Sequence, residues 1–418
     1  MILSRIVAVR EGEGRALGWS FAYFFSLLAA YYVLRPLRDE MGIAGGVKNL
    51  PWLFTATFVV MLAAVPAYGA LVAKLPRRLF IPIVYHFFVA NLVVFWALLE
   101  TGVDRAGVAR VFFVWVTAFS LFAVSVFWSF MADVFTSEQG KRLFGFIAAG
   151  GSLGALTGPL VTVSIVGAIG PTNLLIVAAV LLEGAVLCAR RLELREKEHA
   201  SPAEDERLGG SWIAGIVMIL RSPYLAGTAA WLFCLSLGGT FLYLQQAGIV
   251  SEYSPDPAVR TRIFAGIDLT VGLLTLLFQF VATGPFLERF GVGRGAAVLP
   301  LVLAAGFAVL AYAPVLAVVV TFMALQRTAN FALSNPSFQL FFTVLDREEK
   351  YKAKNVIDLV VFRGSDATAS WLFTALRGMG LPASAVSLCV VPVAIACIVL
   401  ALALGRAQER RARARHGS

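Results

Sequence analysis

Charge is what this sequence has least of. Only 14% of its 418 residues are Asp, Glu, Lys or Arg, against 59% apolar, where a soluble domain carries about 25% charged residues. With a mean hydropathy of +0.81, such a chain is excluded from the soluble globular class and is predicted to be an integral membrane protein. Cysteine is also scarce. Cys188, Cys234, Cys389 and Cys397 all fall inside apolar segments, which argues against a disulfide framework and for small core residues. No CxxC, HExxH or phosphate-loop pattern occurs, and no nucleophile–base pair or metal cluster is visible. An enzyme is therefore not expected, and no cofactor or metal is called for. The ten-residue alternations of a membrane β-barrel are missing too.

What is present is a series of long apolar runs. A hydrocarbon core of about 30 Å needs about 20 residues of helix. Twelve segments meet that length, at roughly 16–38, 50–73, 79–100, 109–132, 144–168, 171–190, 224–247, 263–287, 295–313, 315–343, 355–378 and 383–405. The predicted fold class is all-α, with twelve transmembrane helices in two six-helix bundles. A small-residue pair at Ala29-Ala30 resembles a signal cleavage site, but the run is long, aromatic-rich and followed by arginines, so an uncleaved first helix is expected.

The net charge of +10 is explained by where it sits. The N-terminus (Arg5, Arg10, Arg15) and alternate loops (Lys74, Arg77, Arg78; Lys141, Arg142; Arg289, Arg294; Arg347, Lys350, Lys352, Lys354) are basic, and the opposite loops are poor in Lys and Arg. The positive-inside rule then puts both termini in the cytoplasm of a multi-pass inner-membrane protein. The same distribution argues against nucleic acid as a partner; the lipid bilayer and a small solute are the partners expected, and the chain is expected to be a monomer. Residues 190–210, "RRLELREKEHASPAEDERLGG", read as a cytoplasmic linker. They separate an N-terminal bundle (1–189) from a C-terminal bundle (211–405), which is followed by a basic tail (406–418). The stretch "SWIAGIVMILRSPY" (211–224) is too short to span comfortably and suits an interfacial helix ending at Pro223.

An internal echo supports two related halves. "GALVAKLPRR" (69–78) follows the second span and "GPFLERFGVGR" (284–294) follows the eighth. In each, a glycine permits close helix approach and a charged turn ends in arginine. The fifth span holds "GFIAAGGSLGALTGP" (145–159), whose Gly145, Gly154 and Gly158 leave a flat face before Pro159. Together these features resemble the major facilitator superfamily. The resemblance implies two bundles rocking about a central cavity that opens alternately to each side.

Charges inside membrane spans are few, and such residues usually face the bundle interior. The first span ends in "AYYVLRPLRDEMG" (30–42), where Arg35, Arg38 and Asp39 share a face by helical spacing and Pro36 removes a backbone donor. These charges are open to two readings: an aqueous helix end with snorkelling arginines, or the lining of a site. The tenth span places Arg327, Asn330 and Ser334 on one face, followed by Asn335-Pro336. The eleventh pairs Lys354 with Asp358 and Arg363 with Asp366 by spacing, which suits either a site or structural ion pairs. At the end of the fourth span, Asp133, Glu138, Lys141 and Arg142 suit a cytoplasmic gate or loop network. Glu183 and Asp268 are isolated acids, each a candidate proton site or arginine partner, and His86 reads as a core histidine. Arginine stays charged when buried and grips carboxylate or phosphate through two hydrogen bonds. The candidate substrate ligands are therefore Arg35, Arg38, Arg327, Asn330, Asn335 and Arg363. The candidate gating ion pairs involve Asp39, Asp133, Lys141, Arg142, Lys354, Asp358 and Asp366.

Three stretches are similar to the nucleotide translocases of plastids and obligate intracellular bacteria, the ATP/ADP antiporter family. They are Leu34-Arg35-Pro36-Leu37-Arg38-Asp39; the run from Phe127-Trp128 through Asp133 to Lys141-Arg142-Leu143-Phe144; and Asn335-Pro336, Leu345-Asp346, Lys350, Lys352, Lys354, Val356-Ile357-Asp358 and Arg363-Gly364. Two positions depart from the family pattern: Arg38 stands for a lysine and Asn335 for an aspartate. The resemblance implies a secondary transporter that exchanges an anionic solute, with a nucleotide or other phosphorylated metabolite as the cargo. The alternatives are a proton-coupled exporter of drugs, siderophores or organic anions, and a membrane sensor or assembly factor built on the same fold.

Overall fold

A computed structural model describes the backbone of residues 10, 13–74, 77–196, 212–346, 349, 353–354 and 356–416, and the side chains of these except at 65–74, 77–81, 137, 141, 193–196, 212–215 and 415–416. The remainder of the linker at 197–210, with Lys350 and Lys352 and the side chains of Lys74, Arg77, Arg78 and Lys141, lies outside the described residues.

Every element found among the described residues is helical. The long helices are α1 (Gly14–Ala44), α2 (Leu50–Lys74), α3 (Arg77–Glu100), α4 (Arg105–Val134), α5 (Ser137–Ile169) and α6 (Leu174–Glu196). The short α7 (Trp212–Arg221) precedes α8 (Pro223–Tyr253), α9 (Pro257–Phe278), α10 (Gly284–Tyr312), α11 (Leu316–Ala329), α12 (Asn335–Phe341), α13 (Phe362–Gly378) and α14 (Ala383–His416). Local chemistry sets several of these boundaries. Thr136 and Gln139 form a reciprocal capping box at the start of α5. Ser222 caps α8 and Pro223 occupies its first turn, which separates it from α7. Gly291 has φ +80° and ψ +164°, a backbone conformation that needs glycine, and it breaks the membrane helix begun by α9 from the one that continues α10. Three single π turns, Gln279–Thr283, Asn330–Ser334 and Ile357–Val361, join α9 to α10, join α11 to α12 and lead into α13.

Ten helices among the described residues are long and apolar enough to cross a membrane, where twelve were expected. The expected spans at 171–190 and 355–378 do form helices but stand outside that set. The first carries Glu183, Arg190 and Arg191; the second carries Asp358, Arg363, Asp366 and Arg377.

The chain folds into two compact units. Unit 1 comprises Met1–Gly45, Ala63–Arg207 and Asp256–Leu269; unit 2 comprises Gly46–Leu62, Leu208–Pro255 and Thr270–Ser418. The first part of α2 therefore belongs to unit 2 and the first part of α9 to unit 1. In unit 1, Tyr23, Phe24 and Leu27 of α1 are buried against Phe88 and Leu92 of α3 and Phe119 and Phe127 of α4. The Phe24 and Phe127 rings stack at 4.1 Å. Tyr23 Oη donates to Tyr85 Oη at 2.8 Å, and Tyr85 Oη donates to the Ala123 carbonyl at 3.2 Å, so the buried hydroxyls are satisfied. In unit 2, Trp231 packs on Phe338 and Phe341, and Ser387 Oγ donates to Gln245 Oε1 at 2.9 Å inside the core.

Helix α5 meets α1 backbone to backbone. A Cβ at Gly150 would lie 2.6 Å from the Phe21 carbonyl oxygen, and one at Gly158 would lie 2.7 Å from the Ala29 carbonyl oxygen. At Gly154 it would strike the Phe25 carbonyl and lie 2.9 Å from the Ala29 nitrogen. Such small-residue stripes let membrane helices approach closely. Gly145, at the start of the same glycine-rich stretch, faces open space. Gly154→Leu should therefore destabilise the protein by about 1–3 kcal/mol, the usual penalty for overpacking, whereas Gly145→Ala should be near neutral. Thermal unfolding of the two variants in detergent checks this.

Candidate functional site

The polar end of α1 is built around buried charges. Helix α1 runs beyond the end expected for its apolar run, so Arg35, Arg38, Asp39 and Glu40 lie within the helix. Arg35 Nη1 is 3.8 Å from Asp268 Oδ1 on α9, whose side chain is 1% exposed. The Arg35 Nε is buried with no hydrogen-bond partner among the described residues, and the guanidinium lies 5.7 Å from the Tyr32 ring centroid. Glu40 is fully buried and accepts from Arg260 Nη2 at 2.7 Å. Base and acid are thus reversed between the two pairs, with Arg35 and Glu40 on α1 and Asp268 and Arg260 on α9. Arg38 turns back to donate to Asp39 Oδ1 from Nη2 at 2.6 Å and from Nε at 3.0 Å, and it sits over Phe113 at 5.3 Å. Arg110 Nε donates to the Gly45 carbonyl at 2.8 Å, closing the end of α1.

These contacts differ in what they leave available. The Glu40–Arg260 pair is short and hydrogen-bonded, as a buried ion pair must be to offset its desolvation. The Arg35–Asp268 pair is long, and Arg35 has five donors of which none is hydrogen-bonded among the described residues. Among the described residues, Arg35 is therefore a partly buried cation with unused capacity for an anion.

In unit 2, Asp366 of α13 accepts from Ser236 Oγ and Thr240 Oγ1 of α8, at 2.5 and 3.0 Å, and pairs with Arg363 at 3.5 Å. The Arg363 guanidinium stands over Phe362 at 5.1 Å, and the Gly364 backbone faces the Phe58 ring. Lys354 and Asp358 form no ion pair within 4 Å. The π turn Ile357–Val361 inserts an extra residue and shifts the four-residue spacing that would align them. Lys354 instead lies 6.0 Å from the Phe342 ring, and Asp358 is exposed. The π turn Asn330–Ser334 similarly interrupts the face expected for Arg327, Asn330 and Ser334: Arg327 and Asn330 are half-buried while Ser334 is buried. Asn335 is exposed and accepts from Gln339 Nε2 at 3.3 Å.

At the start of α5, Arg142 donates to Glu13 from Nη2 at 2.9 Å and from Nη1 at 3.3 Å, and Gln139 Nε2 donates to Glu13 at 3.0 Å. Asp133, near the end of α4, is half-buried. The Arg142 hydrogen bond is the main reason the Glu13 carboxyl is held down at about 2, from an ordinary value of 4.5. His86 of α3 is not a core residue. It is half-exposed, with Nδ1 at 2.6 Å from the Pro82 carbonyl and Nε2 at 3.7 Å from Glu183 Oε2 on α6. Glu183 and Asp268 thus each stand beside a base.

Arg260, Glu13, Ser236 and Thr240 were not anticipated. Arg260 sits in a stretch that reads as loop, yet Pro257 at the first helical position marks the start of α9.

The comparisons with known proteins fit this architecture. The model of the Major Facilitator Superfamily matches residues 16–353. The chain belongs to the major facilitator superfamily. Among curated relatives of this superfamily member, ADP,ATP carrier protein 1 of Chlamydia muridarum (strain MoPn / Nigg) is 24% identical over 277 residues, covering 57% of this chain and 52% of the relative. The chain thus matches about half the length of that relative. Among solved structures, a mutant of the nucleoside transporter NupG superposes with a TM-score of 0.67 at 13% identity, over 95% of this chain and 99% of the other. A POT family transporter in complex with a thioalcohol-conjugated peptide gives 0.64 at 12% identity, over 95% and 96%. At these identities the likeness concerns the fold of a major facilitator transporter: an all-α, multi-pass membrane protein.

Two measurements follow for this major facilitator protein. Arg260→Gln, which strands the Glu40 carboxylate, should cost about 3–5 kcal/mol, and Glu40→Gln combined with Arg260→Gln should recover much of it; a double-mutant cycle of thermal unfolding reads the difference. The Glu13 contribution has the sign of a depressed carboxyl. It is complete above about pH 5 and is lost as pH falls towards about 2. Glu13→Gln should therefore lower the melting temperature by the same amount at pH 6 and pH 8, and by progressively less below pH 4.

Proposed function

We propose that this protein is a secondary transporter of an anionic solute, with a nucleotide or another phosphorylated metabolite as the leading cargo, working by exchange. The observation that carries the reading is Arg35: a partly buried, permanently charged guanidinium whose acid partner is 3.8 Å away and whose buried Nε has no hydrogen-bond partner among the described residues. Such a group is costly to bury unless a ligand completes its hydrogen bonds. Its position in the Leu34–Asp39 motif, and the match to a protein named ADP,ATP carrier protein 1, support the choice of a nucleotide. In this reading Arg38, Arg327, Asn330, Asn335 and Arg363 are the further candidate anion ligands. Asp39, Asp133, Lys141, Arg142, Lys354, Asp358 and Asp366 serve the conformational cycle, which is alternating access between bundles 1–189 and 211–405. The protein acts as a monomer in the inner membrane, with both termini in the cytoplasm. In exchange, the empty carrier does not turn over, so no coupling ion is needed.

A second reading, proton-coupled export of drugs, siderophores or organic anions, is favoured by one observation, the His86–Glu183 pair. Nδ1 lies 2.6 Å from the Pro82 carbonyl and Nε2 lies 3.7 Å from the acid.

Proteoliposomes loaded with unlabelled nucleotide should accumulate labelled ATP or ADP in the absence of a pH gradient. Arg35→Gln should weaken transport about tenfold or more, the worth of a charge-assisted hydrogen bond. Asp268→Asn, which removes the competing carboxylate, should tighten nucleotide binding while slowing exchange. Uptake that needs a proton gradient and no counter-substrate would favour the second reading, and background uptake of ATP, ADP and phosphate by folded protein would remove the first.

A further inference from the structure

One end of unit 2 carries a rim of arginines that the transport reading does not use. Arg221, Arg289, Arg294, Arg406, Arg410 and Arg413 are all exposed, and among the described residues none pairs with an acid within 4 Å. The fold brings them together from three elements. Gly405 of α14 packs against Gly293 of α10 with backbone in contact, and a Cβ at Gly291 would lie 3.0 Å from Glu409 Oε1. Arg411 stands 4.5 Å over the Tyr224 ring at the start of α8, one turn from Arg221. Gln408 is buried in the same turns. Gly405 and Gln408 are buried, while Arg406, Arg410 and Arg413 are exposed and form an outward stripe at the spacing of one helix face. On the same turns of α10 and α14 the acids are Glu288 and Glu409.

Length places the stripe at a particular depth. Helix α14 has 34 residues and so is about 51 Å long at 1.5 Å per residue, against about 30 Å of hydrocarbon. Its apolar stretch ends at Leu404, so the turns bearing the arginines stand just beyond the hydrocarbon. We propose that this rim is a binding surface for the phosphates of anionic phospholipids. The arginines continue a membrane-spanning helix and are held against the fold at headgroup depth, so the headgroups are the anions beside them. Guanidinium binds phosphate through paired hydrogen bonds, and an anionic leaflet attracts each juxtamembrane base. The proposal is independent of the transported solute.

The full chain is placed in nanodiscs of phosphatidylcholine alone or with phosphatidylglycerol, and retained lipid is counted by native mass spectrometry alongside thermal unfolding. The wild type should retain phosphatidylglycerol selectively and melt at a higher temperature in its presence, and both effects should shrink in high salt. Arg406→Gln, Arg410→Gln and Arg413→Gln together should lower that retention roughly tenfold or more, with an unchanged melting temperature in pure phosphatidylcholine to show that the fold is intact. If the triple variant does not fold, Arg410→Gln alone, with roughly fivefold lower retention, carries the test. Equal retention by wild type and variant overturns the proposal, because the arginines would then act only in orienting the chain during insertion. So does an equal stabilisation of the wild type in neutral discs by a short RNA, which would assign the rim to a soluble polyanion.

Discussion

Removing a charge from water is the constraint to which the rest of this molecule answers. Helix α1 carries four charged residues into its last turns, and Glu40 has no solvent exposure at all. A carboxylate so placed persists only with a base held against it, and that base, Arg260, comes from a helix more than two hundred residues away in the chain. The first turns of α9 therefore belong to the compact unit of α1 rather than to the unit that holds the rest of that helix. Glycine contacts with α5 and aromatic packing on α4 hold α1 itself in place. Packing and charge thus divide the work: close backbone approach fixes the helix, and ion pairs decide which distant segment meets its end.

Within that frame the two pairs on α1 behave differently. Glu40 and Arg260 are close and hydrogen-bonded, as structural partners are. Arg35 and Asp268 are apart, and the arginine keeps most of its donors unused. In unit 2, Asp366 is supplied with two hydroxyls and an arginine 3.5 Å away.

The membrane class, the helical fold and the superfamily were legible because they rest on additive properties, apolar length and the position of glycine and arginine. Gly154 and Gly158 announced a flat helix face, and the structure presses α1 against it. The break at Gly291 lies inside the echoed turn motif. Pairing was less legible. Arg260, four residues into a helix that begins with proline, looked like loop, and its partner ended a span whose charges were open to two readings. Lys354 and Asp358 had the right spacing for a pair and do not form one, because a π turn intervenes. Helical-wheel reasoning assumes an uninterrupted α-helix, and nothing in the local sequence announces a π turn. His86, read as a core residue, proved half-exposed.

The π turns carry a further implication for motion. Each holds one residue more than the α turn it replaces, without breaking the rod, and all three lie in unit 2 at Gln279–Thr283, Asn330–Ser334 and Ile357–Val361. A rod that swallows its spare residue into regular winding must swivel everything downstream by about 100° and advance it by about 1.5 Å. Side chains such as Asn335 and Arg363, sitting just after such kinks of surplus length, would then exchange one set of neighbours for another by screw motion, with no hinge required.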